Sequence, residues 1–404
     1  MTIIINQPVD DFATDWDHAD PQWVHDPYPI WEDLRDRCPV AHTERYGGAW
    51  FPATHEGVSK IANDTENFTS RAVIINNGRP DGEDIPAPIG GAPPITSDPP
   101  FHQIARRLIL PALAPGPINA LEPRIRSLCV DLLASMGDHE IVNGGMDYAQ
   151  HIPPAVISRM LGFPEADEEL FRSFVHMVVN AIDLPVEQRI EEFQPIIDYF
   201  EIQIEDHRAN PRDDLTSYLL DVEVLGEKLA IEHVFGTMIL ILIAGIDTTW
   251  SAIGAALWHL AKSPGDLDRL VNEPDLMPVA IEEFLRFYAP VTMARLVNKD
   301  MEYLGCPMKE YDWILLGFPA ANRDPKVFED ADKFIIDRLE NRHLAFGLGI
   351  HRCAGSNLAR MELRVAIEEF IKRFPRFELA DPDAVTWAPG QIRGPRNLPI
   401  RILA

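Results

Sequence analysis

The chain has 404 residues, 46% of them hydrophobic, which is enough to bury a large core. Asp and Glu outnumber Lys and Arg by 63 to 36, and the net charge of −27 argues against nucleic acid or an anionic membrane surface as a main partner. The N-terminal stretch MTIIINQPVDDFATDWDHAD has no basic region and does not read as a secretory signal, and the longest apolar run, Val234 to Ile246, falls short of the ~20 residues that span a bilayer. These features predict a soluble cytoplasmic protein.

In chain order, GGAWFPA reads as a strand and PITSDPPFHQIARRLILPAL as a helix capped by Ser97 or Asp98. EPRIRSLCVDLLASM, AVISRMLGFPEADEELFRSFVHMVVNAI and QPIIDYFEIQIEDHRAN continue at helical spacing. From Ile231 to Lys262 the helical pattern persists without a break, which at ~1.5 Å per residue is a rod long enough to cross the molecule. LMPVAIEEFLRFYAP is a further helix, ended by Pro290, and SNLARMELRVAIEEFIKRF another. Strands are expected in TMARLVNKD, MEYLGCPMKEYDWILLGF, RFELA and LPIRIL. The fold expected is mainly α with small β-sheets. No shift in composition marks a boundary, so residues 1–404 read as one domain.

Cys38, Cys129, Cys306 and Cys353 lie far apart with no C-x-x-C pair, which indicates neither a zinc cluster nor a disulfide scaffold. Only Cys353 has chemical company, in HLAFGLGIHRCAGSNLAR. Glycines that free backbone N–H groups, a cationic neighbour and a following helix N-terminus all favour a thiolate there. Glu283 and Arg286 sit three apart on one helix face and can form an ion pair. The long helix contains AGIDTT, residues 244–249, where Asp247 interrupts an apolar run; a buried carboxylate is costly, so a purely structural reading is unattractive. In DPPFHQIARR, His102 and Arg106 are one turn apart.

Taken together and in this order, these motifs resemble the cytochrome P-450 superfamily of haem-thiolate monooxygenases over nearly the whole chain. The pattern F-G-x-G-x-H-x-C-x-G is intact as Phe346, Gly347, Gly349, His351, Cys353 and Gly355. The resemblance implies the superfamily's single-domain fold, with a long central helix over haem b (iron protoporphyrin IX) and Cys353 as axial iron ligand. It implies that Ala244 and Gly245 leave room for dioxygen beside the helix, that Asp247 shuttles protons and that Thr248 is a hydrogen-bond partner. It places His102, Arg106, Arg295 and His351 on the haem propionates, and gives Glu283, Arg286 and Arg338 a structural role. Phe101 stands where the family usually has an acidic or polar residue, which touches no catalytic role.

The activity so implied is insertion of one oxygen atom of O2 into a C–H bond of a small to medium apolar molecule, as hydroxylation or O-demethylation. Peroxide-driven peroxygenases tend to lose the acid–alcohol pair, so Asp247 with Thr248 argues against that alternative; in a non-catalytic haem sensor the pair would have no purpose. LPIRILA ends without a flavin or iron–sulfur segment, so electrons are expected from another protein, a ferredoxin or similar, or from domains beyond this sequence. Arg106, Arg107, Arg342, Arg352 and Arg360 lie in segments that the family places around the cysteine side; Arg106 is expected to be spent on a propionate and the remainder to form the docking patch, and the protein is expected to be a monomer. By analogy, pocket walls are expected from 72–95, 178–182, 240–244 and 291–294, with Asn76, Asn77 and Arg79 reading as solvent-exposed loop.

Overall fold

The computed structural model describes residues 8–80, 82, 90–180 and 186–403. Ile231–Lys262 is one continuous helix, coincident with the span its periodicity predicts. It is long and apolar enough to cross a membrane, yet it is a core element, packed against Ile152–Leu161 on one side and Ser356–Arg373 on another. Close approach to the first of these has a local cause. A Cβ on Gly245 would come within 2.8 Å of Ile157 Cγ1, so the glycine is the notch into which Ile157 fits.

The other predicted helices are found as Phe101–Ile109, Pro115–Ser135, Val186–Ala209, Met277–Phe287 and Ser356–Arg373. The segment 155–182 divides into Ile152–Leu161 and Glu168–Asn180, because Gly162 takes a left-handed conformation (φ 73°) that ends the first helix. Neither Ser97 nor Asp98 caps Phe101–Ile109 with its side chain; Pro100 is the capping residue. Asp98 instead accepts hydrogen bonds from Ser70 N (3.0 Å) and Thr69 Oγ1, tying this helix to the strand Phe68–Thr69.

A five-stranded sheet runs in the order Val40–Thr43, Ala49–Pro52, Trp313–Leu316, Met293–Val297, Phe68–Thr69. Only the pair Ala49–Pro52 and Trp313–Leu316 is parallel. A second sheet joins Phe377–Leu379, Pro399–Ile402 and Ile141–Asn143, which brings the C-terminal strand back beside the middle of the chain. Trp313–Leu316 is buried at every residue, which explains why WILL is apolar without alternation.

Glu283 and Arg286 are completely buried and form a two-pronged pair, both bonds 2.7 Å. Arg286 also donates to the carbonyls of Asn322, Ala331 and Lys333, while Glu283 accepts from Ile335 N, Asn341 Nδ2 and Arg338 Nε. A pair that looks like surface decoration in sequence therefore fastens the segment 322–341 to the helix Met277–Phe287.

Glu362, on Ser356–Arg373, is the opposite case: it is buried, and neither carboxyl oxygen has a hydrogen-bond partner among the described residues. Burial pushes its pKa up to about 8. Because the folded value lies above the unfolded one, the stability this group contributes is complete below about pH 4.5 and lost as pH rises through about 8. Glu362→Gln should remove that loss. Relative to the variant, the native protein should lose stability by on the order of 1 kcal/mol per pH unit across the window, measured by denaturant unfolding. Parallel pH profiles would show that Glu362 does not titrate there.

Candidate active site

Two walls define the site. One is the loop 344–355 that leads into Ser356–Arg373; the other is the middle of Ile231–Lys262. In the loop, Gly347 and Gly349 have φ of 64° and 62°, a left-handed region open to glycine at little cost. A Cβ on Gly349 would also lie 2.9 Å from Asn63 Oδ1, so the loop presses against the helix His55–Asn63. Cys353 N donates to Phe346 O at 2.8 Å, closing the loop around the sulfur.

Cys353 is open to solvent on one side and crowded by protein on the others. That crowding pushes its thiol above the ordinary value, against the lowering pull of Gly355 N–H and of Arg106, Arg352 and Arg360. The neighbours expected to favour a thiolate are thus present, but in the protein alone burial outweighs them.

Arg295, His102 and His351 cluster nearby. Arg295 is buried, donates to Ala294 O at 2.7 Å, and has no ion-pair partner among the described residues; burial pulls its pKa down to about 10. The rings of His102 and His351 meet edge to face at 4.4 Å, and Nε2 of each is buried without a partner among the described residues. Burial and then the charges of Arg295, His102 and Arg106 push His351 down to about 2. Donors packed this closely without an acceptor are destabilising unless an anion joins them. Arg106 donates to Arg352 O at 2.5 Å and so bridges this cluster to the cysteine loop. The whole arrangement fits a flat group with anionic arms and a thiolate-seeking centre.

On the long helix, Ala244, Asp247 and Thr248 face a cavity of about 1300 Å³. Thr248 Oγ1 donates to Ala244 O at 2.8 Å, which bends its hydroxyl along the helix and leaves lone pairs toward the cavity. Gly245 does not face this space: its open side is filled by Ile157, a correction to its expected place beside dioxygen. Asp247 is buried and paired with Arg396 Nη2 at 2.6 Å. Arg396 is held in turn by Ser251 Oγ (3.0 Å) and by the face of Trp250 (4.1 Å).

The helical segment 157–386 matches the family model described as Cytochrome P-450. The chain belongs to the cytochrome P-450 family. Relatives match almost end to end: the polyketide biosynthesis cytochrome P-450 PksS of Bacillus subtilis (strain 168) is 30% identical over 94% of this chain and 97% of its own. The 6-deoxyerythronolide B hydroxylase of Saccharopolyspora erythraea is 28% identical over the full length of both. Among solved structures, CYP109E1 from Bacillus megaterium in complex with testosterone superposes with a TM-score of 0.85 at 28% identity, over 94% of this chain and 98% of that one. This P-450 is a haem b-dependent monooxygenase with the P-450 fold.

Several features of this P-450 escape sequence reasoning. Arg396 lies 149 residues from Asp247 and belongs to no local motif; only the return of the C-terminal strand places it. Asn77 and Arg79 line the cavity, and Arg79 pairs with the buried Asp312, so they are not simply exposed loop. Residues from 17–19, 44–47 and 387–392 also line it, beyond the four expected segments. Of those four, 73–75, 92, 95, 240, 243–244 and 291–293 reach the cavity, while the side chains at 178–182 lie outside the described residues. Arg360 is withdrawn from the expected docking patch: it pairs with Glu282 (2.6 Å) and stacks on Phe346 (4.4 Å). Against burial, Arg360 and His343 hold the Glu282 carboxyl down at about 2. Arg107, Arg342 and Arg352 are exposed.

Proposed function

We propose that this P-450 inserts one oxygen atom of O2 into a C–H bond of an organic molecule held in the cavity, with electrons from a ferredoxin-type protein, and that Cys353 is the axial ligand of its haem. The observation that carries the reading is the placement of Asp247 and Thr248 on one turn of the long helix, both on the cavity wall. In this reading His102, His351, Arg295 and Arg106 take the anionic arms of the haem, Phe346, Gly347 and Gly355 shape the seat of the sulfur, and Ala244 stands over the opposite face. Bound haem supplies the redox chemistry that activates O2. The protein's share is to hold substrate, exclude bulk water and deliver protons.

Thr248 offers a hydroxyl whose own proton is committed to Ala244 O, so it accepts and steadies a proton donor in the cavity. Asp247 collects the proton. While Asp247 is held by Arg396 on the cavity wall it is an acceptor committed to the guanidinium, so delivery needs the carboxylate to leave that pair. Arg396 is then a positioning residue: Ser251 and Trp250 fix it, and it sets how readily Asp247 swings free.

Product formation should require NADH, a ferredoxin system and O2, with one labelled oxygen taken up from 18O2. Thr248→Ala should keep NADH consumption within about twofold while product per NADH drops by roughly tenfold and hydrogen peroxide rises. Arg396→Lys should keep coupling high and change the pH dependence of turnover, because a lysine holds the carboxylate by a single point of charge. Turnover driven by peroxide alone, with coupling unaltered in Thr248→Ala, would replace this reading with a peroxygenase. The protein is read as a cytoplasmic monomer, with Arg107, Arg342 and Arg352 left to meet the electron donor.

A further inference from the structure

The cavity is rich in charged side chains, and every arginine on its wall is already neutralised. Arg45 pairs with Asp15 (2.8 Å) and Asp17 (3.0 Å), Arg79 with Asp312, Arg172 with Glu169, and Arg396 with Asp247. Of the acids on the wall, Asp17 and Asp247 are consumed in those pairs, and Glu44 stands at the rim with its side chain 85% exposed. Among the described residues the interior wall is therefore neutral in sum, while the rim around Arg45, with two carboxylates to one guanidinium, is negative. A charged group carried inside loses its hydration and meets no free counter-ion among the described residues.

Neutral polar groups are mostly spent as well. Gln391 accepts from Ile75 N (2.6 Å) and donates to the carbonyls of Val73 and Thr292. Tyr46 donates to Asp17 at 2.6 Å. Among the described residues on the wall two buried groups remain unpartnered: Trp250 Nε1, on the ring that carries Arg396 on its face, and His18. His18 is 92% buried and its Nδ1 has no hydrogen-bond partner among the described residues. Burial holds it neutral at physiological pH, with a pKa of about 4 against the opposing pull of Asp17. Tyr46 and Trp16 meet its ring edge-on at 5.4 and 6.4 Å and fix its orientation. A buried imidazole nitrogen without a partner is costly, and a ligand hydroxyl or carbonyl relieves that cost.

We propose that the substrate of this site is an uncharged molecule carrying a hydroxyl or carbonyl group at the end bound beside His18. The proposal deepens the monooxygenase reading and rests on it for the identity of the site as the substrate pocket.

The test uses haem-loaded protein and a matched set of twelve-membered rings: cyclododecanol, cyclododecanecarboxylate and trimethylcyclododecylammonium. Binding is read by displacement of the Soret band and, independently, by calorimetry. Cyclododecanol should bind at least about tenfold more tightly than either charged ring. His18→Phe should weaken cyclododecanol by about fivefold, and His18→Gln, which keeps a hydrogen-bonding group, should restore it to within about twofold. A charged ring binding as tightly as the alcohol overturns the proposal, as does native affinity in His18→Phe. Loss of the carbon monoxide band in the haem-loaded protein would instead count against the haem-thiolate reading, and calorimetry would still rank the three rings.

Discussion

Replacing Cys353 with His is expected to abolish the absorption band, near the wavelength that names the family, that the reduced protein shows with carbon monoxide, and with it all O2-dependent turnover. The reason is electronic: a thiolate pushes electron density toward the position where O2 binds, and an imidazole does not. Haem should still bind, because His102, His351, Arg295 and Arg106 do not depend on the sulfur. In the protein without haem, desolvation raises the Cys353 thiol, so if Cys353 is the iron ligand, coordination would add stabilisation to the thiolate. Cys353→Ala should therefore bind haem more weakly and show no such band. Retention of the band in either variant would remove Cys353 from the iron.

The second large effect is expected at Glu283. Glu283→Ala leaves Arg286 with its charge fully buried and only carbonyl acceptors, and breaking a buried pair in this way costs about 3–5 kcal/mol. It also frees Ile335 N, Asn341 and Arg338, so the segment 322–341 should loosen as a unit. The midpoint of thermal unfolding should fall by about 5–10 °C, and the fraction of purified protein carrying haem should drop, because Asn322 also holds Leu344 N at the start of the cysteine loop. Glu283→Gln retains acceptors for part of this network and should lose less. A midpoint unchanged in Glu283→Ala would mean that the pair contributes no net stability.

Much of this protein is legible in its sequence because the chemistry is local. The loop around Cys353 needs glycine at 347 and 349 for left-handed turns, and those needs are met within ten residues. The long helix is legible because 32 residues of unbroken apolar periodicity have no other regular solution. Glu283 and Arg286 are three apart on one helix, so their pairing needs no knowledge of the rest of the fold.

What only the tertiary structure decided depends on segments distant along the chain. Strands as short as Phe68–Thr69 and Ile141–Asn143 exist because a partner strand lies beside them; two or three residues carry no period of their own. The open side of Gly245 could face the cavity or a neighbouring helix, and Ile157 on another helix settles it. Arg360 looks equally suited to a docking surface and to an internal pair, and Glu282 claims it. Asp247 finds Arg396, and Arg79 finds Asp312, across 149 and 233 residues. Charge in the sequence therefore says little about charge in the pocket. The arginines on the cavity wall are neutralised by carboxylates that are mostly remote along the chain, and burial leaves His18 uncharged, because an ion is stable inside a protein only where the fold brings it a counter-ion.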